Sequence, residues 1–201
     1  MTEAPPSSAA PPPPLRQDNG GNGLGARLTD DLVMALRLYS RLPTGGRPHE
    51  LPNLSRITLA LPFASLVIGI GPALAMLLLA AIGLPPLLAA TIGVMLQVLV
   101  TGAMGEDALA DAMDGLFGGH SVERRLEIMK DSRHGTYGVA ALGLYLLLRV
   151  TAVGAVAATN PLAAGGIWLA ASLLGRSGSL WLSVELPNAR EGGASAAVGR
   201  V

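Results

Sequence analysis

Cysteine is absent from the 201 residues, which removes a disulfide framework, a thiolate metal centre and a thiol nucleophile together. Charge is scarce as well. Asp, Glu, Lys and Arg make up 14% of the chain, against about a quarter in soluble domains. Acids and bases cancel to a formal net charge of zero, so no overall field argues for nucleic acid as a partner. Aromatics reach only 3%. Half of the chain is nevertheless hydrophobic, and the mean hydropathy is +0.48. Its apolar bulk is Ala, Leu, Val, Ile and Gly, small and aliphatic residues that let helix backbones approach closely in a bilayer. The composition points to an all-α, polytopic membrane protein.

Residues 1–27 hold Pro5, Pro6, Pro11 to Pro14 and a Gly/Asn run, a composition that reads as a disordered tail ahead of one membrane domain spanning 28–201. A short amphipathic helix is expected over Thr29 to Leu42, capped by Thr29 or Asp30 and lying at the interface. Four uncharged or nearly uncharged runs follow: Ile57 to Ile82, Leu87 to Met104, Gly138 to Thr159 and Leu162 to Val184. At about 1.5 Å per residue each is long enough to cross most of a hydrocarbon core of about 30 Å. Gly83-Leu84-Pro85-Pro86 and Asn160-Pro161 are the turns. The expectation is therefore about four spanning helices in two hairpins, with Pro62 and Pro72 kinking the first. Every Lys and Arg except Arg149 lies before Ile57, between Arg124 and Arg133, or from Arg176 onward, and the hairpin tips carry none. The positive-inside rule then puts the charged segments on the cytoplasmic side.

The chemistry concentrates in 105–137. Asp107, Asp111 and Asp114 are spaced i, i+4, i+7, which groups them on one face of a helix. Three like charges there call for something positive among them, and hard oxygen ligands suit Mg²⁺ or Mn²⁺. An acidic solvated face is the plain alternative. Against it, no basic partner stands four residues on, and the helix follows a spanning run directly. Glu106, about 100° round the helix, reads as a supporting or unrelated group. The loop Lys130-Asp-Ser-Arg-His-Gly-Thr-Tyr-Gly138 sets two cations, two aliphatic hydroxyls and two glycines at the mouth of the third run. Small residues admit a phosphate to the backbone, and Lys and Arg neutralise it. His120 and His134 lack a His-x-x-x-His spacing and read as loop residues. Carboxylates facing such a loop describe metal-assisted phosphoryl transfer, with one Asp free to take a proton from an attacking hydroxyl.

Glu106-Asp-x-Leu-Ala-Asp-x-x-Asp-Gly115 and Arg125-Leu-Glu-Ile-Met-Lys-Asp-Ser-Arg-x-Gly-Thr-Tyr-Gly138 resemble the cobalamin synthase family, adenosylcobinamide-GDP ribazoletransferases. Ser40-Arg-Leu-Pro43, Leu66-Val-Ile-Gly69 and Pro187-x-Ala-Arg190 are weaker echoes. The resemblance implies a multi-pass transferase of the inner membrane, embedded in the lipid bilayer with its acidic and basic loops cytoplasmic. It would join adenosylcobinamide-GDP to α-ribazole or its 5′-phosphate, releasing GMP, with Mg²⁺ as cofactor. Asp107, Asp111 and Asp114 would hold the metal, Asp107 and Asp111 would serve catalysis, and Lys130, Ser132, Arg133 and Arg190 would contact substrate; a homo-oligomer is left open. The family pattern has His at Gly105, Gly at Ala108, Arg at Lys130 and Tyr at Asn188. It also continues beyond Pro-x-Ala-Arg with further membrane helices, so a chain ending at Val201 is expected to be short at that end. The CDP-alcohol phosphotransferases are the nearest other enzyme class, but their Asp-Gly-x-x-Ala-Arg pattern is not met. A cation-coupled transporter would want the acids in mid-span rather than at a boundary.

Overall fold

The computed structural model describes residues 24–45 and 54–186. Eight helices and no strand occur among them: α1 Leu24–Tyr39, α2 Leu54–Ile57, α3 Leu61–Ala81, α4 Pro86–Thr101, α5 Met104–Gly118, α6 Val122–Ile128, α7 Thr136–Thr159 and α8 Pro161–Glu185. The all-helical reading holds. α1 begins at Leu24, inside the stretch assigned to the tail, and stops at Tyr39, where the segment before Pro43 can no longer hold helical angles. Its apolar face carries the fully buried Ala35 and packs with Ile57 and Ala64, joined by Leu32, Leu36 and Tyr39.

α3 starts later than the apolar run does. Pro62 sits in its first turn, where the missing N–H has no helical acceptor to lose, so it opens the helix instead of kinking it; Pro72 lies inside. Gly83 at φ +90° turns the chain into α4, which opens on Pro86. Asn160 turns α7 into α8, its side chain accepting from Ala163 N at 3.0 Å. The two hairpins pack as α3 on α8 and α4 on α7. Between them lies a core of small residues (Ala73, Ala89, Ala90, Ala157 and Ala164) around Met76, Val94 and Trp168.

The four expected crossings are corrected in part. By length and composition α3 and α7 each suffice to span a membrane. α4, at 16 residues, does so only together with α5, and the two are bent by 87°. α8 is 25 residues long, but Arg176 and four serines dilute its apolar character below that of α3 and α7. The bend at the end of α4 is the feature that shapes the site. Gly102 (φ +65°) and Ala103 (φ +59°) take left-handed angles in succession, ending α4 and redirecting the acidic helix out of line with it. Arg41 N donates to Val100 O at 2.8 Å and ties the end of α1 to the same corner. A Cβ on Gly102 would meet Arg41 Cδ at 3.0 Å and Cζ at 3.1 Å. Gly102→Ala is therefore expected to cost about 1–2 kcal/mol through the left-handed backbone alone, read as a lowered thermal midpoint in detergent.

Candidate active site

α5 presents two stripes. Glu106, Ala110 and Asp114, four residues apart, are buried, as is Gly115. Asp107 and Asp111, also four apart, lie about 100° round from Glu106 and Ala110 and are open or half-open. The buried stripe faces α7, where Gly138 comes against Ala110 O and the Asp114 carboxylate.

Asp114 has both oxygens engaged: Gly135 N donates to Oδ2 at 2.6 Å and Gly138 N to Oδ1 at 2.8 Å. These are the unpaired amides at the first turn of α7, so a carboxylate borrowed from another helix caps it. The partial positive charge of that helix end favours the arrangement. The i, i+4, i+7 grouping thus divides by role. Asp107 and Asp111 are joined by His134, with His134 Nε2 3.7 Å from Asp107 Oδ1 and Nδ1 3.8 Å from Asp111 Oδ1. One ligand atom from each of the three falls within 4.8 Å of the others. A cation about 2.1 Å from each donor sets neighbouring ligand atoms about 3–4 Å apart, so small rotations of these side chains suffice to enclose one. α5 turns away from α4 by 87°, and its Asp107 and Asp111 are open or half-open. Burial raises the Asp111 carboxyl above the ordinary carboxylate value; the charges of Asp107 and Asp114 push the same way, and His134 opposes them. Uncompensated negative charge of this kind is what a cation relieves.

His134 was set aside on the sequence because no second histidine stood at ligand spacing. Its partners are carboxylates from another helix, and the distance is closed by the loop from Lys130 to Gly135. That loop also lines a cleft of about 310 Å³ with Asp114, Gly118, Arg124, Glu127, Ile128, Asp131, Arg133, Thr136 and Tyr137. Arg133 is clamped on Asp131, Nε to Oδ1 at 3.0 Å and Nη2 to Oδ2 at 2.7 Å, and its side chain is 86% exposed. The Arg133 guanidinium holds the Asp131 carboxyl at about 2. The pair is therefore complete above the ordinary carboxylate range and opens only as pH falls through about 2. Lys130 and Ser132 are exposed on the same loop. Arg190 lies outside the described residues.

Arg124 and Tyr137 were not singled out from the sequence. Arg124 reaches the cleft because Ser121 caps α6, accepting from Arg124 N at 3.2 Å. Tyr137 meets Phe117 with ring centroids 5.7 Å apart at the cleft margin. Arg125, on the same short helix, donates to Gly119 O at 3.0 Å and holds α6 against the end of α5.

Fold and site define a class: an all-helical membrane protein with a carboxylate–imidazole cluster beside a cleft in which Arg124 and Arg133 stand among Asp114, Glu127 and Asp131. Comparison with known proteins is specific beyond that. The family model described as cobalamin-5-phosphate synthase matches residues 31–201. An adenosylcobinamide-GDP ribazoletransferase of Azorhizobium caulinodans is 45% identical over 87% of this chain and 68% of its own length. Proteins of that name from Rhizobium johnstonii (43% identical, 85% of this chain, 66% of the relative) and Xanthobacter autotrophicus (49%, 66% and 52%) are similar. The chain belongs to the cobalamin-5-phosphate synthase family. It spans about two thirds of the length of the first two of these relatives. No solved structure matches it.

Proposed function

We propose that this chain carries the catalytic site of a Mg²⁺-dependent transferase of the inner membrane. It joins adenosylcobinamide-GDP to α-ribazole, or to its 5′-phosphate, and releases GMP. The observation that carries the reading is the meeting of Asp107, Asp111 and His134 beside the loop that bears Arg133, in a chain of this family. The residues present fit a hard divalent cation: two carboxylates with uncompensated charge, and an imidazole placed to ligate directly or to hold a metal-bound water. When bound, such a cation would neutralise charge on the pyrophosphate oxygens. The chain's own groups do the rest. Arg133 and Lys130 face the phosphates, and Arg124, paired with Glu127, stands on the same cleft. Asp111, the half-open carboxylate of the pair, takes the proton from the attacking ribazole hydroxyl as GMP leaves. The exposed charged loops lie on the cytoplasmic side, where the nucleotide substrate is.

Membranes holding the 201-residue chain, given adenosylcobinamide-GDP, α-ribazole and Mg²⁺, are expected to form the coupled cobalamin and GMP in equal amounts. EDTA is expected to reduce the rate at least about 100-fold, and excess Mg²⁺ or Mn²⁺ to restore it. Product formation indifferent to chelation would remove the metal from the reading, and no GMP at all would remove the reaction.

A further inference from the structure

Arg149 lies far inside α7, in a helix otherwise free of charge. Its Nη1 stands 3.5 Å from Glu106 Oε1 and 3.2 Å from the Tyr145 hydroxyl. The guanidinium also lies over the Trp168 ring of α8, 5.1 Å from the centroid. Glu106 is nearly enclosed, its side chain 10% exposed. Charges so placed are costly unless paired, and each is the other's partner.

The chain position of Glu106 is what matters. It immediately precedes Asp107, and Asp114 follows Asp111 by three residues. α5 is thus fastened to α7 at two points, by Glu106 on Arg149 and by Asp114 on the amides of Gly135 and Gly138. Asp107 and Asp111 fall between the fastenings. We propose that Glu106 is a positioning residue: through Arg149, itself seated on Trp168, it sets the rotation of the first half of α5 so that Asp107 and Asp111 meet His134. The metal role of those two acids rests on the function proposed above; the tether does not.

Because the chain has no cysteine, labels can be placed at will. Met104→Cys, just ahead of Glu106, and Ala158→Cys near the far end of α7 accept nitroxides at exposed positions. Their separation in the full chain, in nanodiscs, is measured by pulsed electron resonance, and Mn²⁺ affinity by its own resonance signal. Glu106→Gln alone strands Arg149 and can fail to fold, so the decisive variant is Glu106→Gln with Arg149→Met, which removes both charges. The expected result is a broadened or shifted distance distribution and Mn²⁺ binding weakened about tenfold or more, with Arg149→Lys retaining much of both. An unchanged distance distribution in the double variant overturns the tether, whatever Mn²⁺ does. A changed distribution with unchanged Mn²⁺ affinity overturns the positioning role. Should the parent protein bind no Mn²⁺, the metal reading falls, while the distance measurement still decides the tether.

Discussion

Asp111→Asn is expected to abolish turnover, by about 10³-fold or more, while leaving the protein at least as stable as before when no divalent cation is present. The two halves of this result have one cause. Burial and the Asp107 charge hold the Asp111 carboxyl above its ordinary value, so its charged form is a burden on the cation-free fold. A neutral amide lifts that burden and removes a ligand and proton acceptor together. Asp114→Asn should behave in the opposite way. Its carboxylate is buried and accepts two backbone amides, so an amide side chain loses a charge-assisted bond and turns an N–H toward a donor. That costs about 2–3 kcal/mol of stability and loosens the loop carrying Arg133. Thermal unfolding of both variants in detergent, with and without Mg²⁺, separates the roles: Mg²⁺ should raise the midpoint of the parent and of neither Asp111→Asn nor Asp107→Asn. Equal destabilisation by Asp111→Asn and Asp114→Asn would mean that Asp111, like Asp114, is structural.

The second large effect belongs to a glycine. A Cβ on Gly138 would stand 2.7 Å from Ala110 O and 2.9 Å from Asp114 Cγ, and closer still to Asp114 Oδ2. Backbone on one side and a fixed carboxylate on the other leave nothing free to yield. Gly138→Ala is expected to cost about 1–3 kcal/mol through overpacking. It also drives Asp114 off its amides, so turnover should fall about 10- to 100-fold. Gly143→Ala, one and a half turns along the same helix with open space around it, is the control and should leave both unchanged. Parallel rate and unfolding measurements on the pair decide the matter. A tolerated Gly138→Ala would mean that α5 and α7 do not approach as closely as described.

Sequence carried the helical architecture well because apolar run length, Pro-Gly turns and the Asn160 cap are local signals. It carried the crossings less well. The run from Leu87 to Met104 is continuous in composition, yet the helix ends at Thr101, since nothing in hydropathy marks two successive left-handed residues. In the acidic segment, spacing correctly made a helix with Asp107, Asp111 and Asp114 on neighbouring positions. It could not say which sector meets α7. The answer, 106/110/114, mixes an acid, an alanine and an acid, so no hydrophobic stripe announced it. His134 escaped for the same reason: its partners stand 23 and 27 residues upstream and are brought to it by tertiary packing. Arg149 stands out in the sequence only as a lone charge in an apolar run; in the structure it pairs with Glu106 and lies over Trp168. Its Glu106 partner could not be chosen until the register of α5 was known.

The loop that supplies His134 to the carboxylates is the loop that supplies Asp131 and Arg133 to the cleft, and its next residue, Gly135, is bonded to Asp114. Cation and phosphate would therefore settle the same six-residue segment at neighbouring residues, His134 and Arg133. Whatever factor a divalent ion adds to the affinity for a pyrophosphate ligand, that ligand must return to the ion in equal measure. An ion held weakly in the resting enzyme would then be held firmly once the nucleotide arrives, and released again with GMP.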